Sequence, residues 1–357
     1  MVASPRDTTA FILSFAAILG LIIVGRELLV PLVFAMLLWA VLNAMTDLMV
    51  KYGAPNWLAW TGSITLSIAA MYLMARIFGD EAAGLAAAMP GYAAKLQALT
   101  TQFLAPLKIK VDLGHLFSPQ QVAGFLASAA ASVGGSLFAF VEVLIYVGFL
   151  LAEQGDMTHK LALLQRDPDR HNEVKEVVRA LARQVQSYLG VSTVLSAIMA
   201  AATYALLKAL GVEFAGFWAL ILFIVTYIPT IGAIGVVLPA LMALVQFGDV
   251  WQALLIVGIL GAAHFFLMNV AETVILGQTL NLSPFAIIVA LAFWGLVWGA
   301  AGLFLAVPVT GAIAIMCGHV DGLKWISILL AAPPPHVRTA RKVAAKVERA
   351  AASKVAS

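Results

Sequence analysis

Apolar residues run along this chain in long blocks, not in the short alternations of a soluble sheet or the one-sided stripes of a soluble helix. Blocks at 10–25, 28–46, 57–78, 133–152, 188–209 and 251–276 each suit a helix that crosses a bilayer once. Two more, 214–246 and 284–319, are too long for one crossing and too short for two comfortable ones. As straight helices they would extend roughly 50 Å against about 30 Å of hydrocarbon. Both carry breakers at their centres, Tyr227-Ile228-Pro229-Thr230-Ile231-Gly232 in the first and Trp298-Gly299-Ala300-Ala301-Gly302 in the second. The pattern predicts an all-α integral membrane protein of about eight hydrophobic helical units. The last and third-last of these are broken, as re-entrant hairpins or as bent, tilted spans. Irregular backbone at membrane depth is tolerated where it is buried in protein or lines a cavity, which is how transporters build binding sites.

The polar intervals divide the chain further. Residues 1–78 hold three membrane helices, with only Arg26-Glu27 between the first two, a spacing that reads as a tight helical hairpin and not as a cleaved signal peptide. Residues 79–132 are polar to amphipathic, and Pro90, Pro106 and Pro119 are expected to divide them into short helices, one starting at Ser118-Pro119. A fourth membrane helix, 133–152, leads to a basic region, 153–187. Within it Asn172 to Leu189 is amphipathic, with Val174, Val177, Val178, Leu181, Val185 and Tyr188 opposite Lys175, Arg179 and Arg183. That helix either lies on the anionic inner leaflet or packs, solvated, on the cytoplasmic base. Residues 188–319 form a C-terminal membrane core and 320–357 a basic tail.

Charge sets the orientation. Thirteen of the 21 lysines and arginines fall in two segments, 153–187 and the tail from Lys324 onward, which places both in the cytoplasm. Counting crossings back puts the N-terminus inside as well and 79–132 outside. A chain with 62% hydrophobic and 11% charged residues and a mean hydropathy of +0.99 is incompatible with a water-soluble globule. The single Cys317 excludes a disulfide framework within the chain, the six histidines show no metal-ligand spacing, and no Gly-Lys dipeptide exists to form a P-loop. No cofactor, metal or nucleic-acid partner is expected, nor catalysis, because no nucleophile-base set stands out. The tail after Pro333-Pro334-Pro335 is expected to meet membrane lipid or to remain a disordered, positive-inside segment.

Several strings carry a family resemblance. They are Leu29-Val30-Pro31-Leu32-Val33-Phe34-Ala35, then Tyr227-Ile228-Pro229-Thr230-Ile231-Gly232-Ala233-Ile234-Gly235, then Leu280-Asn281-Leu282-Ser283-Pro284 leading to Phe293-Trp294-Gly295-Leu296-Val297-Trp298-Gly299-Ala300-Ala301-Gly302 and Pro308. In that order they resemble the autoinducer-2 exporter family of bacterial membrane transporters, from about residue 10 to 319. The resemblance implies an inner-membrane secondary transporter that assembles as a homo-oligomer, a pentamer in the members visualised. It also implies export of a small polar signal or metabolite, with monovalent cation/proton antiport (Na+ or Li+) as the alternative. A non-transporting oligomeric scaffold is the reading of a different class. The family's usual proline after Asn269-Val270 is replaced here by Thr273, preceded by Glu272, so no family acid/base role is carried over.

Candidate chemistry lies in two sets of residues. Pro229 frees a backbone carbonyl one turn back and Gly232 permits close approach, so these, Thr230, Pro308 and the polar linker residues Gln278 and Asn281 are the expected substrate pathway. Glu142 near mid-span, and Glu272 with His264 on one helix face shared with Gly261 and Met268, are the expected proton- or cation-handling groups. Each has a plainer reading: a structural kink, a solvated carboxylate or a packed histidine. The string Pro-x-x-Gly-Ala-Ile occurs twice, at Pro229 and Pro308, as an internal repeat or a coincidence of composition.

Overall fold

The structure, a computed structural model, describes residues 5–104, 119–164, 168–228, 232–272, 282–320 and 322–332. These residues are helical. Among them the only strand-like pairing is one isolated antiparallel bridge, Leu282 to Ala331. The elements are α1 (Pro5–Val24), α2 (Arg26–Lys51), α3 (Asn56–Leu104), α4 (Pro119–Ala131), α5 (Val133–Leu164), α6 (Pro168–Ala209), α7 (Ala215–Thr226), α8 (Gly232–Gly235), α9 (Val237–Phe247), α10 (Val250–Phe265) with a π-helical extension Phe266–Ala271, α11 (Pro284–His319) and α12 (Lys324–Leu330). They form two compact units. Met1–His171 with Val185–Gly277 make the first, Asn172–Gln184 with Gln278–Ser357 the second.

Among the described residues five helices are long and apolar enough to cross a membrane: Arg26–Lys51, Asn56–Leu99, Glu176–Ala209, Val250–Ala271 and Pro284–His319. Large apolar side chains face outward along them, Leu66 at 58% exposure, Ile198 at 48% and Leu296 at 90% among them. In water such a surface would drive aggregation, whereas against lipid tails it costs nothing. The protein is an all-α integral membrane protein.

In the first unit, α2, α3 and α5 pack around Ala35, Leu42 and Val147. A larger core joins α6, α7, α9 and α10 through Met199, Leu207, Leu222, Ala240, Ala243, Ile256 and Leu260. The overlong block 214–246 folds back on itself. Its ends are tied together where the Glu213 N–H donates to Gln246 Oε1 (2.9 Å) and Gln246 Nε2 donates to the Gly211 carbonyl (3.0 Å). Tyr92 of α3 adds its hydroxyl to the Glu213 carboxylate, and Lys95 reaches the Gln246 carbonyl at 3.3 Å. Phe214 enters the hairpin at φ 56°, a left-handed conformation unusual for a bulky residue, and its ring lies where a side chain on Gly84 would stand. The hairpin arms are 12 and 11 residues long, shorter than the hydrocarbon thickness.

The second unit holds the other hairpin. Ser283 caps α11 by accepting from the Ala286 N–H at 3.1 Å, with Pro284 in the first turn. At Gly299 the backbone leaves the helix (φ 61°, ψ −138°). Trp294 Nε1 then donates to Thr310 Oγ1 at 3.0 Å, although 16 residues of straight helix would separate them by about 24 Å. The arms meet so closely at Gly302 that any Cβ there would overlap the Trp294 carbonyl.

Three expectations change. Pro90 does not divide the segment after the third block; α3 runs through it to Leu104, because a proline removes one hydrogen bond and the remaining turns hold. Pro106 lies outside the described residues. The tight hairpin expected at Arg26-Glu27 is not formed. Only Gly25 leaves helical geometry (φ −77°, ψ 6°), while Gly25 N–H to Leu21 O (2.8 Å) and Leu29 N–H to Gly25 O (2.8 Å) carry helical bonding across the junction. Finally, the π-helical turn after α10 shifts the register between His264 and Glu272, so their face is not that of a regular α-helix.

Gly299 occupies backbone that other residues adopt only with strain, so Gly299→Ala is expected to cost about 1–3 kcal/mol. Gly20→Ala, in a helix with nothing within 4 Å of the new methyl, should be neutral or slightly stabilising. Thermal unfolding in detergent checks both.

Candidate functional site: a polar layer at the broken helix

Met199, Leu222, Val236 and Leu260 meet in the core of the first unit. One helical turn further on, the residues change character: Ser196 on α6, Thr226 at the end of α7, Gly232 at the start of α8 and His264 at the end of α10. Contact distances join three of them directly. A Cβ built on Gly232 would fall 2.5 Å from His264 Cε1, 3.2 Å from its Nε2 and 3.4 Å from the Thr226 Cα. Glycine at 232 is what lets the imidazole lie against the broken chain.

Three atoms of this layer are buried with no hydrogen-bond partner: Ser196 Oγ, Thr226 Oγ1 and His264 Nδ1. A buried polar group left unpaired costs about 1–3 kcal/mol, and native structures hold few of them. Two of them, on Thr226 and His264, belong to residues that meet Gly232 at the break, which marks a place suited to water or a polar ligand, and Ser196 lies one turn from Met199 of the same core. The next turn out is fully wired by contrast. Tyr188 donates to the Tyr227 carbonyl (3.2 Å), Thr193 donates to the Leu189 carbonyl (2.6 Å), and the Thr193 and Tyr227 hydroxyls lie 2.5 Å apart. Glu272, half-buried, follows the π-helical turn that extends α10.

The expected site residues are placed as follows. Gly232 and His264 are brought together, and Glu272 lies directly after the π-helical turn. Pro308 is buried in the second arm of α11, within the second unit. Glu142 is exposed on α5, hydrogen-bonded only along its own helix, where the Tyr146 hydroxyl donates to Oε1 at 3.2 Å. Pro229, Thr230, Gln278 and Asn281 lie outside the described residues. Sequence reasoning missed Ser196, Thr226, Tyr188 and Thr193. A signal existed, since Ser192, Ser196 and Thr203 repeat at helical spacing inside an apolar span and all three are buried. No group of three or more metal-ligating side chains occurs among the described residues.

An all-helical, multi-pass membrane protein with a hydroxyl-and-imidazole layer at a helix break has the anatomy of a membrane transporter. Comparison with known proteins gives the family. The model of the AI-2E family transporters matches residues 12–321, and the chain belongs to that family. It is similar to the AI-2 transport protein TqsA of Escherichia coli (strain K12), 28% identical over 316 residues that cover 86% of this chain and 90% of the relative. A putative transport protein of Haemophilus influenzae is 26% identical, covering 82% of this chain and 86% of its own. The putative transport protein YhhT of Escherichia coli (strain K12) is 24% identical, covering 91% and 94%. The protein is thus a multi-pass membrane transporter.

Because a methyl at 232 would displace the imidazole, Gly232→Ala is expected to lower stability by about 1–3 kcal/mol. It should also raise the rate at which His264 is modified by diethylpyrocarbonate. Gly258→Ala, on the same helix as His264 with open space around it, should change neither.

Proposed function

We propose that the protein exports a small hydroxylated solute of the autoinducer-2 kind across the bacterial inner membrane, and that the solute is held at the Ser196, Thr226 and His264 layer. The observation that carries this is the set of three unpartnered buried polar atoms, two of them on residues that meet Gly232 at the helix break. Two hydroxyls and an imidazole nitrogen both give and take hydrogen bonds without fixed charge, which suits a neutral, hydroxyl-rich ligand better than an ion. The resemblance to the AI-2 transport protein TqsA supports the same class of solute.

The hairpins 214–246 and 284–319 are re-entrant in this reading, since the arms of the first are too short to cross the hydrocarbon. Pro229, Thr230, Gln278, Asn281 and Pro308 remain proposed pathway residues on the sequence pattern alone. The basic region 153–187 and the tail lie in the cytoplasm, 79–132 lies outside, and the chain works as a homo-oligomer in contact with membrane lipid. Glu272, eight residues beyond His264 along the same helix and its π-helical extension, is the proposed proton-handling group. The exposed Glu142 stands on its own helix face. No cation is named among the relatives compared, and antiport is not the favoured reading.

Accumulation of autoinducer-2 by everted inner-membrane vesicles tests this. Ser196→Ala and Thr226→Val should each raise the apparent KM about 5- to 10-fold, the equivalent of one hydrogen bond. Their thermal midpoints should hold or rise, because the hydroxyls they remove are unpaired in the resting protein. Vesicles that move no autoinducer-2 but show sodium- or lithium-driven proton movement would replace export by antiport. Vesicles that move neither, with the protein intact, would leave the scaffold reading.

A further inference from the structure

The string Pro-x-x-Gly-Ala-Ile occurs at Pro229 and again at Pro308. In both copies the glycine receives a polar side chain from another helix of its own unit. Gly232 receives His264, as described. Gly311 receives Gln184 of α6: a Cβ at 311 would overlap the Gln184 Nε2 and fall 3.4 Å from its Cδ. The parallel extends to hydrogen bonding, since Gln184 is 6% exposed and its Oε1, like His264 Nδ1, is buried with no partner. Next to Gly311 the Thr310 hydroxyl accepts from Trp294 Nε1 at 3.0 Å, which pins the second arm of the hairpin and fixes the glycine beneath the amide. Coincidence of composition explains a repeated hexapeptide. It does not explain why both glycines take an uncharged polar side chain with a vacant buried atom.

We propose that Gln184, seated on Gly311 in the second unit, is a second hydrogen-bonding station, and that it takes a hydroxyl group of the transported solute. A primary amide offers an acceptor and donors side by side, so a hydroxyl, which both gives and takes, satisfies it in either orientation. Neither station carries a fixed charge, so a neutral polyol or hydroxyketone is the class that both accept. The identity of the solute rests on the exporter reading. The station itself rests on Gln184 and Gly311 alone.

The test compares wild type with Gln184→Met, which keeps the length and removes the polar end, in everted vesicles supplied with autoinducer-2. The expected result is an apparent KM raised about tenfold with Vmax within about twofold of wild type. The thermal midpoint in detergent should be unchanged or higher, since the amide oxygen is unpaired without solute. An unchanged KM in a folded variant overturns the station, because the vacancy is then filled by water or by nothing. A Gln184→Met protein that does not fold is replaced by Gln184→Asn, which withdraws the amide from Gly311 and should raise KM in the same sense. Failure of wild-type vesicles to move autoinducer-2 counts against the exporter reading only. The station is then judged by glycerol-dependent thermal shift, where a saturable shift in wild type that weakens in the variant upholds it. Equal shifts, or none in wild type, overturn it.

Discussion

Where a helix breaks inside so apolar a protein, no water satisfies the backbone groups it frees, and another part of the protein must close over the break. That closure demands approach distances that a Cβ forbids, which makes glycine the controlling residue of this structure. Gly299 adopts the backbone that turns α11, and Gly302 lets the returning arm touch the Trp294 carbonyl. Gly232 admits an imidazole to the first broken unit, and Gly311 admits a carboxamide to the second. Side chains at those four positions would strain the breaks or displace the groups seated against them.

The same constraint explains where polarity survives in so apolar a chain. Tyr188, Tyr227 and Thr193 are spent on one another and on the backbone, and so stabilise the break they surround. Ser196, Thr226, His264 and Gln184 each retain an unpaired buried atom. At about 1–3 kcal/mol apiece, several such atoms are a large share of a protein's net stability, and an apolar residue of similar size would remove the cost at each position. Local departures of this kind are where function is to be sought.

The closing of the first hairpin shows how far tertiary contacts override local rules. Phe214 takes a left-handed conformation that its side chain disfavours, held because its ring packs at Gly84 of α3 while the neighbouring Glu213 is tied to Gln246 and Tyr92. Through Tyr92, Lys95 and Phe214, the polar half of α3 is bound to the mouth of the hairpin. Pro90 sits inside that helix without ending it, so α3 continues to Leu104 where a break was expected. A proline's effect depends on whether neighbouring turns are otherwise supported, which its own position does not reveal.

Much was legible in the residues alone. Block length against bilayer thickness gave the helical membrane class and singled out two overlong units, and their central glycines and prolines located the breaks, because these follow from one-dimensional quantities: hydropathy, rise per residue and backbone freedom. The family strings lie in those same breaks, so the resemblance and the anomaly pointed to one region. The sequence could not choose between hairpins and bent spans, since charge parity is the same for both. The contacts Glu213 to Gln246 and Trp294 to Thr310, which join residues that a straight helix would hold far apart, are equally beyond its reach. Nor could it separate paired from unpaired hydroxyls, or assign Gln184 to Gly311. Hydrogen-bond satisfaction is a property of neighbours brought together from distant positions, and the tertiary structure alone supplies them.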